Sequence, residues 1–140
     1  MKKILYNIML LLTTVTLLSS CNKDGDLIFL NGFGGSELTA TTNDVVLSIA
    51  NSKKLVLSLE WNNATLLSSD SSKTAPDGVL KTYLQISAKE DFSGKVNEST
   101  VTSPSKAYKG DDLNAIAKDL GLSADVAGPL YFRIKSVQGN

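Results

Sequence analysis

The side chains that could do chemistry here are mostly carboxylates, because the sequence contains no histidine and a single cysteine, Cys21. Without histidine, the usual nucleophilic triads and most zinc sites are absent. Two carboxylates can hydrolyse a glycosidic bond, and two adjacent pairs occur, Glu90 with Asp91 and Asp111 with Asp112. Adjacent side chains on a strand or a helix point apart, so neither pair converges on a substrate. We therefore expect no catalysis, no metal site and no cofactor.

Cys21 lies where the N-terminal segment predicts a cleavage site. A basic start at Lys2 and Lys3, an apolar run over residues 4–18 and the small residues Ser19 and Ser20 form a secretory signal. The run is shorter than the roughly 20 apolar residues that span a bilayer. Leu-Ser-Ser-Cys resembles the lipobox of bacterial lipoproteins, which implies that residues 1–20 are a lipoprotein signal peptide and that Cys21 is lipidated. The alternative is an incidental thiol in a plain secretory signal.

Residues 21–36 have the composition of a flexible tether, since glycine stands at positions 25, 32, 34 and 35. The acidic stretch at 22–26 resembles a weak export signal for the outer face of some outer membranes; a solvated tether is the equal alternative. An apolar run, Leu27-Ile28-Phe29-Leu30, must be shielded from water. The two alternatives are that it pairs as an edge strand or that it lies against the membrane surface. We expect one folded domain at 37–140.

Charge excludes one class of partner. The chain holds 14 basic and 14 acidic residues, and removing Lys2 and Lys3 with the signal leaves a small excess of acid. No basic stripe is present to neutralise phosphates, so nucleic acid is not an expected partner.

The elements that must position these residues are strands. In Lys54 to Trp61 the apolar residues Leu55, Leu57, Leu59 and Trp61 alternate with mainly polar ones, which predicts a central strand with one buried face. The same alternation predicts strands at 44–50, 80–89 and 130–137, and a more polar strand at 95–102. Short alternating strands separated by Ser, Asn, Gly and Pro predict an all-β antiparallel sandwich.

One short helix is predicted before the last strand, at about residues 111–120. Leu113, Ile116, Ala117 and Leu120 follow the helical spacing i, i+3, i+4, i+7. Asp111 is the expected N-cap, and Gly121 followed by Leu122 predicts a Schellman end.

Aromatic residues are the candidates for stacking against sugar rings. Alternation places Trp61 inward, where a core role is expected. Tyr83 and Tyr131 fall on the outward faces of their strands, and they are the candidate ligand-binding residues.

Several segments in order resemble the N-terminal domain of SusE-type outer-membrane lipoproteins, over residues 37–138 and the lipobox. The segments are Val45-Val46-Leu47, Leu57-Ser58-Leu59-Glu60-Trp61, Thr82-Tyr83-Leu84-Gln85-Ile86, Asp91-Phe92-Ser93, Leu113-Asn114-Ala115-Ile116-Ala117, Leu120-Gly121-Leu122 and Leu130-Tyr131-Phe132-Arg133-Ile134-Lys135. The resemblance implies an immunoglobulin-like sandwich, anchored by lipid in the outer membrane and facing the cell exterior. It implies a non-catalytic spacer or scaffold in a starch-like glycan uptake system, with other uptake proteins and polysaccharide as partners. The alternative is a carbohydrate-binding module that uses Tyr83 and Tyr131.

One departure concerns the last strand. An immunoglobulin-like sandwich closes with a strand after the one at 130–137, whereas this sequence ends at Gln138-Gly139-Asn140. Three alternatives follow: the domain is truncated before its last strand, the strand near Leu27 takes that place, or a partner does.

Overall fold

The computed structural model describes residues 30–35, 37–70, 72–73 and 78–138. Within these residues it has eight strands and one α-helix. The strands are β1 (Leu30–Phe33), β2 (Leu38–Ala40), β3 (Leu55–Trp61), β4 (Leu66–Ser68), β5 (Leu80–Ser87), β6 (Val96–Val101), β7 (Ser105–Lys109) and β8 (Tyr131–Gln138); the helix is α1 (Gly110–Asp119), and Ile49–Asn51 form a 3₁₀ turn. No helix in this part of the chain is long and apolar enough to cross a membrane.

The first sheet has the strand order β2-β3-β7, with β3 in the centre and antiparallel neighbours on both sides. The prediction for β3 is confirmed for Leu57, Leu59 and Trp61, which are each 5% exposed or less. It is wrong for Leu55, which is 65% exposed. The pairing of β3 with β7 shifts register between Leu55 and Leu57, and such an irregularity redirects a side chain relative to the regular alternation.

The second sheet has the order β6-β5-β8, again antiparallel throughout. Its central strand, β5, buries Leu84 and Ile86 almost completely. Phe132 and Ile134 of β8 stand opposite these two residues and pack against the same core. The strands predicted at 80–89, 95–102 and 130–137 are therefore present.

The core lies between the two sheets, as expected of the predicted antiparallel β-sandwich. Its buried residues come from both sheets and from the helix: Leu57, Leu59, Trp61, Leu84, Ile86, Tyr108 and Leu113. Tyr108 belongs to β7, a strand that the sequence did not predict. Among the five residues of β7 only Tyr108 is buried, so the strand has no alternating apolar pattern to reveal it.

Helix α1 confirms the predicted apolar stripe, since Leu113 and Ala117 are buried and Ile116 and Leu120 pack on the core. Its end is the predicted Schellman motif. Leu122 donates its backbone N–H to Ala117 at 3.0 Å, Gly121 donates to Lys118 at 3.0 Å, and Gly121 has a φ of 90°.

The predicted N-cap is wrong. Helix α1 begins at Gly110, its N-cap is Lys109 without a side-chain cap, and Asp111 lies in the first turn. Two of the free amides at this end are instead satisfied by the backbone near the 3₁₀ turn, and a third, that of Asp112, donates to Oδ1 of Asp111 at 3.0 Å. Gly110 donates to the carbonyl of Lys54 at 3.1 Å, and Asp111 donates to the carbonyl of Ser52 at 2.9 Å. Hydrogen bonds to these backbone carbonyls take the place of an N-cap side chain.

The strand predicted at 44–50 is also wrong. Residues 44–48 have no ladder partner and Ile49–Asn51 form the 3₁₀ turn. Val45 and Leu47 still pack against the core as alternation predicted, but Ile49 is 96% exposed. Residues 44–48 therefore alternate as a strand does and turn Val45 and Leu47 inward, but they pair with no neighbouring strand.

Strands β1 and β4 form a separate antiparallel pair, Leu30 opposite Ser68 and Phe33 opposite Leu66. Gly34 extends this contact by donating its N–H to the carbonyl of Thr65 at 2.7 Å. The segment 21–36, expected to be a tether, thus includes a strand. Of the apolar run near Leu27, the described residue Leu30 pairs with β4, whereas Leu27, Ile28 and Phe29 lie outside the described residues.

Candidate functional site

The outward surface of the β6-β5-β8 sheet brings the two candidate tyrosines onto one face. Strand pairing arranges this surface, called here the polar face, in three cross-strand rows. The rows are Thr100, Tyr83 and Lys135; Glu98, Gln85 and Arg133; and Val96, Ser87 and Tyr131. All nine residues alternate with the core residues of their strands, so both tyrosines lie on the outward sides of their strands. The pairing of β5 with β8 then puts them on one face.

The two tyrosines do not form one stacking platform. They lie two rows apart, which is about 13 Å along the strand direction, and on neighbouring strands. Both are half-buried, and the Nζ of Lys135 lies 5.8 Å from the ring centroid of Tyr83. A single sugar ring cannot stack on both residues at this separation.

The middle row of the polar face is a hydrogen-bonded chain across all three strands. Gln85 donates from Nε2 to Oε2 of Glu98 and accepts at Oε1 from Nε of Arg133, the second bond at 2.6 Å. Glu98 also pairs with Lys135, with 3.4 Å between Nζ and Oε2. Four of the polar side chains on this face, Gln85, Glu98, Arg133 and Lys135, are therefore already bonded to one another.

Phe92 completes this row from the turn after β5. The guanidinium carbon of Arg133 lies 4.0 Å from the ring centroid of Phe92, a cation–π contact. Phe92 has a φ of 56°, unusual for a residue with a side chain. The turn holds it there: its N–H donates to the carbonyl of Lys89 at 3.1 Å, and Ser93 donates its N–H to Oδ1 of Asp91 at 2.9 Å. That second bond lowers the pKa of Asp91.

Sequence reasoning missed the roles of Gln85 and Phe92. Alternation predicts that Gln85 and Ser87 lie on the solvent-facing side of β5, but they are only 6% and 0% exposed. Both residues lie on the central strand, with β6 on one side and β8 on the other, and the pattern of a single strand does not report its neighbours. The sequence holds one hint for Phe92: it is a large apolar residue between the polar residues Asp91 and Ser93, in a connection between strands. A side chain of this kind needs apolar or cationic surface to pack against.

A second polar surface lies on the outer side of the other sheet. Glu37, Thr39, Glu60 and Asn62 line an open cleft of about 350 Å³ with Ser105. The sequence did not bring Glu37 and Glu60 together, because the pairing of β2 with β3 was not predicted. Trp61 also borders this cleft, but it is 5% exposed and packs in the core, as expected.

Charged pairs elsewhere are exposed and structural. Nζ of Lys53 lies 2.5 Å from Oδ2 of Asp111, which lowers the pKa of Asp111 and raises the pKa of Lys53. Ser72 lowers the pKa of Asp70 by donating from its hydroxyl and its N–H to Oδ1. In the described part of the chain no group of three potential metal ligands is found. Cys21 lies outside the described residues.

Comparison with known proteins identifies the family. The model of the SusE outer membrane protein family matches residues 23–135. No curated protein and no solved structure matches the chain. The matched range covers every strand and the helix, up to the middle of β8. With most of its length matched by that family model, the chain belongs to the SusE outer membrane protein family.

Proposed function

We propose that this protein is a non-catalytic spacer or scaffold module, anchored by lipid at the cell surface, in an outer-membrane system that takes up a starch-like glycan. The observation that carries the proposal is the SusE family match over residues 23–135. Family membership indicates an outer-membrane accessory protein of glycan utilisation. The match begins two residues after Cys21, so a lipid on that cysteine would lie at the N-terminal end of the matched region.

The side chains of the polar face support a spacer rather than a binder. Gln85, Glu98 and Arg133 are engaged with one another, and Phe92 covers the guanidinium of Arg133. Sugar sites need exposed aromatic rings with free hydrogen-bonding groups beside them. The one tryptophan, Trp61, is buried in the core.

A carbohydrate-binding role is the second candidate. One observation favours it: Tyr83 and Tyr131 share a face, and the row between them holds an amide, a carboxylate and a guanidinium. Each tyrosine could then contact a separate unit of an extended polysaccharide, since the distance between them excludes a single ring.

Affinity electrophoresis of residues 22–140 in gels with and without starch separates the two candidates. The spacer predicts the same mobility in both gels. Retardation by starch that is lost in Tyr83→Ala or Tyr131→Ala, and retained in the control Lys106→Ala, would establish the binder instead. Lys106 is a suitable control because it is an exposed residue of β7, in the other sheet.

A further inference from the structure

We draw no further inference here: the strongest candidate, the apolar groove between residues 44–48 and β8 that Val45, Leu47, Leu130 and Phe132 line, carries none, because nothing in the structure of the described residues shows what covers it.

Discussion

Gln85 contributes two of the hydrogen bonds that join the three strands of the second sheet. Its amide donates to Glu98 of β6 and accepts from Arg133 of β8. Both neighbours are exposed to solvent, so water can replace the amide as their partner. The buried amide can bond to charged groups on both sides only when the three residues stand opposite one another. It therefore favours one register of the sheet and also stabilises it.

Replacing Gln85 by alanine should lower the free energy of unfolding by about 1–2 kcal/mol, because both hydrogen bonds are lost and a small void forms. Urea unfolding of the two proteins measures the difference. Lys81→Ala, an exposed change on the same strand, should stay within about 0.5 kcal/mol of the parent. Equal effects of the two substitutions would show that the hydrogen-bonded row contributes nothing.

The ion pair between Lys53 and Asp111 predicts a pH dependence. In the folded protein the pKa of Asp111 is below its ordinary value of 3.8. The stability that the ionised carboxylate adds is therefore present above pH 3.8 and is lost as the pH falls through the lowered pKa. The raised pKa of Lys53 gives a pH dependence of stability with the opposite sign. That contribution is present below 10.5 and is lost as the pH rises through the raised pKa.

Thermal unfolding of Asp111→Asn should therefore show a lower melting temperature than the parent between about pH 4 and pH 10. The difference should shrink toward pH 2. Raising the salt concentration should reduce it as well, since the pair is exposed. A difference that is constant from pH 2 to pH 7 would rule out the ion pair as its cause.

At the scale of elements, helix α1 is fixed by how its first residue meets the 3₁₀ turn. A Cβ at Gly110 would lie 2.5 Å from the carbonyl oxygen of Asn51 and 2.9 Å from its carbonyl carbon. These are backbone atoms, which cannot rotate away as a flexible side chain can. Glycine is therefore required for the close approach that lets Gly110 and Asp111 donate to Lys54 and Ser52.

Gly110→Ala should destabilise the protein by about 1–3 kcal/mol, although alanine is favoured over glycine in a helix by about 1 kcal/mol. The sign of the change is the test, read from chemical denaturation. Asn114→Ala, at an exposed position of the same helix, should instead be neutral or slightly stabilising. A stabilising Gly110→Ala would mean that the turn and the helix are not in contact.

Which elements could be predicted from the sequence depended on whether their apolar residues follow a readable period. The helix stripe from Leu113 to Leu120 and the strand ending at Trp61 carry several apolar residues at the right spacing, and both are present. β7 buries only Tyr108, and β2 has three residues, so neither has a readable period. Residues 44–48 had the period of a strand, but pairing needs a neighbour, which a local pattern cannot report.

At the scale of the whole molecule, the two-sheet sandwich follows from alternation in β3, β5 and β8, because each has one face that must be covered. The same alternation puts Tyr83 and Tyr131 on the outward sides of their strands, but only the pairing of β5 with β8 puts them on one face. The bonds that occupy that face could not be predicted, since Gln85, Glu98 and Arg133 meet only through strand pairing. Family membership places the molecule in the outer membrane, and the proposed lipid on Cys21 would attach it there.

The most direct test of the proposed lipid anchor is mass spectrometry of the N-terminal tryptic peptide from protein purified out of the outer-membrane fraction. We expect a peptide that begins at Cys21, ends at Lys23 and carries a diacylglyceryl group on the sulfur, with or without a third acyl chain on the amino group. An unmodified Cys21, or an uncleaved peptide that continues upstream of it, would contradict the lipid-anchored module.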